Sequence, residues 1–223
     1  MTADGLQDKN VEALYGVTYF APGTQTIKRS VSADAYTYTT YLGKHDLSVE
    51  EGDSAWIYES KGRIARIVNG PATIQTTDWA TIIRGYRTED RTATVSASTN
   101  LPYVNGCSTR QIFPPDRGGD PTLQLLKIPA HSSEQAHHIH STVRIVYVFE
   151  GEGYSKVGMK DVFVKRKLVP GMLVVLEKMS PHHFETEGSP LVVIPLHVFS
   201  ALPGGTENNH PMFNGTFLMN QGS

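Results

Sequence analysis

Runs rich in Val, Ile, Thr, Tyr and Phe recur at residues 54–68, 72–84, 122–129, 139–149, 162–169, 172–177 and 191–199, and clusters of Gly, Pro, Asn or Asp separate most of them. Short apolar runs bounded by turn residues read as β-strands, and many in succession read as a sandwich or barrel. Helical periodicity is nearly absent: Asp8 to Tyr15 and a turn after Leu202 are the best candidates, and neither carries a long apolar stripe. The pattern therefore predicts an all-β protein. Proline and glycine crowd the stretch from Asn105 to Pro121, which reads as a connection, so a lobe over 1–105 and a lobe over 106–223 are expected.

The two halves repeat a plan. Ile57-Tyr58-Glu59-Ser60-Lys61-Gly62 lines up with Val146-Tyr147-Val148-Phe149-Glu150-Gly151, and Thr77-Asp78-Trp79-Ala80-Thr81-Ile82 lines up with Gly171-Met172-Leu173-Val174-Val175-Leu176. A duplicated β-barrel explains this more economically than one irregular sheet.

Composition removes several classes of function. The formal charge is −2, spread along the chain without the basic stripe that tracks a phosphate backbone, so a nucleic-acid partner is not expected. Lys165-Arg166-Lys167 reads as a solvated turn or strand end. Cys107 is the only cysteine, which excludes an intramolecular disulfide and any multi-cysteine metal site; its expected role is a small buried side chain. The first ten residues lack the form of a secretory signal, and no window is apolar enough to span a membrane. A soluble, cytoplasmic protein is expected.

The histidines are unevenly placed. His45 alone lies in the first half; His131, His137, His138, His140, His182, His183, His197 and His210 lie in the second. In a strand beginning at His138, the side chains of His138, His140, Thr142 and Arg144 share one face. Two imidazoles side by side suit iron, zinc, nickel, copper or manganese better than magnesium or calcium. His137 and His183 should face the opposite side and make surface or inter-lobe hydrogen bonds, and Tyr147 should face away and pack.

The spacing around these residues resembles the cupin family. Its first motif has Gly, five residues, His-x-His, three or four residues, Glu, six residues and Gly, and here those positions hold Ser132, His138-Ile139-His140, Arg144 and Gly151. Its second motif is read as Gly171, Glu177-Lys178-Met179, His182 and Thr186. The resemblance implies a two-lobed double-stranded β-helix (jelly roll) whose C-terminal lobe binds one divalent metal through His138, His140 and His182. Aligning the halves puts Val49 and Glu51 where His138 and His140 stand, Ala55 where Arg144 stands and Thr88 where His182 stands, so the N-terminal lobe is expected to be degenerate and without ligands.

Arg144 stands where many cupins have an acidic ligand. It is expected either to pair with a substrate carboxylate or phenolate or to turn to an internal carboxylate such as Glu134 or Glu185. The neutral three-His set resembles that of the bicupin dioxygenases acting on gentisate, salicylate and related acids. That likeness implies Fe(II), with Mn, Ni, Zn and Cu as alternatives, and a small acidic or hydroxylated substrate. A cupin isomerase, lyase or hydrolase is the second expectation, with the metal as Lewis acid and His131, Glu134 or Glu185 moving a proton. A non-catalytic metabolite-binding cupin is the third. The family also implies a homo-oligomer, most simply a dimer.

Overall fold

The structure is a computed structural model that describes residues 3–30, 36–117 and 119–198; the turn expected after Leu202 and His210 fall outside them. One helix, α1 (Ala3–Tyr15), precedes eighteen strands. The first eight are β1 (Val17–Phe20), β2 (Thr26–Arg29), β3 (Tyr38–Leu42), β4 (His45–Val49), β5 (Ser54–Glu59), β6 (Ile64–Asn69), β7 (Ala72–Thr76) and β8 (Trp79–Ile83). Then come β9 (Arg91–Thr94), β10 (Leu101–Pro102), β11 (Ser108–Phe113), β12 (Thr122–Ile128) and β13 (Val143–Gly151). The chain continues with β14 (Gly153–Met159), β15 (Val162–Leu168), β16 (Leu173–Leu176), β17 (His182–Glu185) and β18 (Leu191–Val198).

These strands form four layers. A six-stranded sheet, β2-β3-β8-β5-β6-β9, faces the pair β4-β7, and a seven-stranded sheet, β1-β16-β13-β18-β12-β11-β10, faces the three-stranded sheet β15-β14-β17. Each lobe is thus a jelly roll of one large and one small sheet, and the sheets do not close into continuous barrels. The two large sheets lie back to back, which places one shared core between the lobes and a separate interior inside each.

Alternation along the strands builds all three interiors at once. On β13, Ile145, Tyr147 and Phe149 enter the shared core, while Val146 and Val148 enter the interior of the C-terminal lobe. On β5, Trp56 and Tyr58 enter the shared core, and Ala55 and Ile57 enter the N-terminal interior. A strand buried on both faces must be apolar throughout, which is why these runs do not alternate in sequence. Tyr147 is 5% exposed and stacks on Trp79 at 6.0 Å and 5°, so it packs away from the ligand face as its parity requires. The Trp79 indole N–H reaches the hydroxyls of Thr40 and Thr81, both at 3.0 Å, which satisfies the polar atom that a buried tryptophan carries.

The duplication appears in the pairing register. Ile57 pairs with Ala80 as Val146 pairs with Val174, and Ala55 pairs with Ile82 as Arg144 pairs with Leu176. Strand pairing also crosses residue 105, because β1 pairs with β16 as the edge of the seven-stranded sheet and β10 pairs with β11. The run Lys165-Arg166-Lys167 lies within β15, and its members pair with Glu185 at 2.7 Å, Glu12 of α1 at 2.6 Å and Glu152 at 2.8 Å. The described helix is too short to cross a membrane.

Candidate metal centre

The strand expected from residue 139 begins only at Val143. His138 instead forms an isolated antiparallel bridge with His182: each backbone N–H donates to the other's carbonyl, at 3.1 and 2.8 Å. The Met179 N–H donates to the His140 carbonyl at 2.7 Å and ties the same segment to the loop before β17. One register position on each side of the bridge, with the next inward residue of the first segment, brings the three imidazoles together.

One ligand atom from each of His138, His140 and His182 lies within 4.8 Å of the other two. Nε2 of His138 and Nε2 of His140 are 2.8 Å apart, and the ring of His182 sits 4.7 and 5.3 Å from the two others. Nδ1 of His138 contacts the Ala136 carbonyl at 2.9 Å and Nδ1 of His182 contacts the Ser180 carbonyl at 2.7 Å. A carbonyl only accepts, so in both rings Nδ1 carries the proton and Nε2 presents its lone pair inward. This orienting hydrogen bond is typical of metal-bound histidine.

Burial makes the donors available. Desolvation, with like charge from Arg144 and His138, holds His140 down to about 3. Desolvation also holds His182 down to about 3 against the hydrogen bond to Ser180, and it lowers His138. All three rings are neutral near pH 7, the form a metal requires. The donor set therefore fits one divalent transition metal, and its three nitrogens suit iron, manganese, nickel, zinc or copper.

No family model matches the chain, and no curated protein matches it. Among solved structures, AerE from Microcystis aeruginosa matches with a TM-score of 0.51 at 10% identity, covering 78% of this chain and 98% of that one. A cupin 2 conserved barrel domain protein from Leptotrichia buccalis covers 80% of this chain and 91% of its own, with a TM-score of 0.43 and 11% identity. Another from Rhodopseudomonas palustris covers 44% and 69%, with a TM-score of 0.39 and 18% identity. The chain has a cupin fold.

The triad lies in the wall of a cavity of about 240 Å³ inside the C-terminal lobe, small beside the roughly 300–1,000 Å³ usual for ligand sites. Arg144 and Glu134 line the same cavity. Glu134 is 6% exposed, and its Oε1 lies 3.8 Å from Nε2 of His138. Desolvation raises its carboxyl to about 8, opposed by a backbone hydrogen bond at Phe184 and by the charge of Arg144. The Arg144 guanidinium donates to the Thr142 hydroxyl, and burial lowers it to about 10, so it stays cationic at neutral pH. It shares the cavity with Glu134 without a direct ion pair, and Glu185 is turned outward to Lys165 and His183.

Other sequence candidates separate from this centre. His131 lies at an exposed recess with Asn105, Ser133 and Glu185, away from the triad, and its N–H donates to the Glu187 carbonyl at 2.7 Å. His137 and His183 face the other side of the bridge, as expected, and contact each other there. Ser132 and Thr186, at the first position of the first motif and the last position of the second, hydrogen-bond to one another and hold the loop before the triad to the end of β17.

Sequence reasoning did not single out Tyr103, Gln111, Gln124 and His197, which complete the cavity wall. His197 pairs with Arg144 across β18 and β13, and Gln111 pairs with Gln124 across β11 and β12. Desolvation, then the positive charge of Arg144, pushes His197 well below its ordinary value. For His197 the available signal was a polar residue in a strand otherwise made of Leu, Val, Ile and Pro; Gln111 and Gln124 share their strands with other polar residues, and Tyr103 lies outside the strands.

Proposed function

We propose that this protein is a metal-dependent enzyme acting on a small organic acid. The observation that carries the reading is the company the triad keeps: a single cavity joins three neutral imidazoles, one half-buried guanidinium and one buried carboxyl. His138, His140 and His182 would hold the metal, which supplies Lewis acidity toward a substrate oxygen.

Arg144 binds the substrate carboxylate, because a planar guanidinium with donors facing the cavity matches two carboxylate oxygens. The apolar wall formed by Val146, Leu176, Phe184 and Val193 excludes water and accepts the carbon skeleton. Glu134, beside the triad, takes or returns a proton at Oε1. That carboxyl favours an isomerase or lyase type of reaction over simple ligand storage. A second reading, an Fe(II) dioxygenase of hydroxylated acids, is favoured by the neutral ligand set, which leaves several coordination positions open.

Metal-free protein reloaded separately with Fe²⁺, Mn²⁺, Ni²⁺, Zn²⁺ or Cu²⁺ and offered small carboxylic and hydroxyaromatic acids, with and without oxygen, separates these readings. Turnover without oxygen supports proton-transfer chemistry. Stoichiometric oxygen uptake confined to the Fe²⁺ form supports the dioxygenase. Tight binding with no product from any form overturns the enzyme and leaves a binding protein.

A further inference from the structure

The bridge between His138 and His182 carries a second pair of imidazoles on its outer side. Nδ1 of His137 and Nδ1 of His183 are 2.7 Å apart. Nε2 of His137 contacts the Gly158 carbonyl at 2.6 Å, and Nε2 of His183 contacts a carboxylate oxygen of Glu185 at 3.2 Å. Both of these partners are acceptors, so both Nε2 atoms carry the proton. Each neutral ring has one proton to place, which leaves two bare Nδ1 lone pairs aimed at one another. Such a pair repels unless a cation lies between them.

The inner triad uses the same device in mirror form, with Nδ1 protonated on a backbone carbonyl and Nε2 bare. We propose a second metal site, in which Nδ1 of His137 and Nδ1 of His183 bind one divalent late first-row metal such as Zn²⁺, with water filling the remaining positions. Two nitrogens bound to one tetrahedral zinc at about 2.0–2.1 Å sit about 3.3 Å apart, so the rings part by roughly 0.6 Å to admit it. His137 is exposed, which gives the ion a route of entry and room for water. Glu185 orients His183 and contributes negative charge, in the manner of a carboxylate–histidine–metal relay.

The location gives the site a purpose. Residues 138–142, which bring His138 and His140 to the cavity, lie outside the strands, and the His138–His182 bridge and the Met179 contact are backbone hydrogen bonds that fasten them to the segment leading into β17. An ion outside the bridge ties that segment to β17, which opens with His182. This inference stands apart from the reaction proposed above.

Calorimetric titration of chelator-stripped full-length protein with Zn²⁺ alone tests it. Two equivalents are expected, a tighter and a weaker. The H137A/H183A variant should lose the weaker and keep the tighter, whereas H138A/H140A/H182A should do the reverse. Glu185→Gln keeps every imidazole, and it should weaken only the outer event, by roughly 10–100-fold. A single equivalent in the wild type, as expected if a shared proton rather than a metal joins the rings, overturns the proposal. So does a weaker equivalent that survives H137A/H183A with the fold intact by circular dichroism.

Discussion

The two lobes use one strand register for opposite ends. In the N-terminal lobe the interior between the large and small sheets is filled by Leu47, Val49, Ala55, Ile57, Ile74, Ala80 and Ile82, all at most 8% exposed. In the C-terminal lobe the matching interior holds a packed end around Val148, Val157, Val164 and Leu168, and an open end where Arg144, Glu134 and the histidines line the cavity. Ala55 and Arg144 occupy the same pairing position. A barrel interior can be spent on packing or on a site, and here one copy of the plan does each.

This contrast can be broken most severely by moving charge into the filled lobe. Ala55→Arg places a guanidinium in a cluster of buried apolar side chains, and it should cost at least about 3–5 kcal/mol in urea unfolding. At Arg144 the reverse expectation holds for stability, as described below.

Glu134→Gln removes the group assigned to proton transfer while preserving its volume. It should lower kcat by about 10²–10⁴-fold on whichever acid the metal screen identifies, with metal stoichiometry unchanged. An equal loss of bound metal would instead make Glu134 a ligand.

Arg144→Leu should weaken binding of a carboxylate ligand by about 1.5–3 kcal/mol, roughly ten- to hundred-fold, measured by calorimetry on the metal-loaded protein. Its unfolding free energy should hold or rise, because a largely desolvated cation with no ion pair to another described residue is exchanged for an apolar group. A loss of stability similar to that of Ala55→Arg would erase the distinction between the lobes.

The smallest effects test packing alone. Ile57→Val opens a void in the filled interior and should cost about 0.5–1.5 kcal/mol. Its counterpart Val146→Ile adds a methylene beside the cavity and should change stability by under about 1 kcal/mol, both read from thermal unfolding.

The sequence made the repeated pairs legible, since Ile57 with Ala80 and Val146 with Val174 lie in long runs of strand-forming residues whose register carries over between halves. The triad was legible through the resemblance to the two cupin motifs, which marks His138, His140 and His182; alternation along a strand pairs only His138 with His140. Strands β2, β4 and β9 were not, because four or five residues with polar side chains pair only once a neighbour is already in place. β14 was hidden by Gly153 and Gly158; a side chain at Gly158 would lie 2.3 Å from the Val162 carbonyl. The expected strand from 139 failed because residues 138–142 trade ladder bonds for the His182 bridge and the Met179 contact. Glu134 was named as a candidate, but its aim depends on Ser132 and Thr186 meeting across the loop. The far wall, with Tyr103, Gln111 and Gln124, comes from before the metal motif and lay beyond its reach.

Strand β1, at the beginning of the chain, runs along β16, so Val17 meets Leu176 and Phe20 meets Leu173. During synthesis those four residues emerge long before their partner exists, while the six-stranded sheet can already assemble from residues 26–94. Completing the edge of the seven-stranded sheet must therefore wait until residues 173–176 are made. For this one short segment pairing is separated widely from synthesis, and so long a loop closure is of the kind that slows folding.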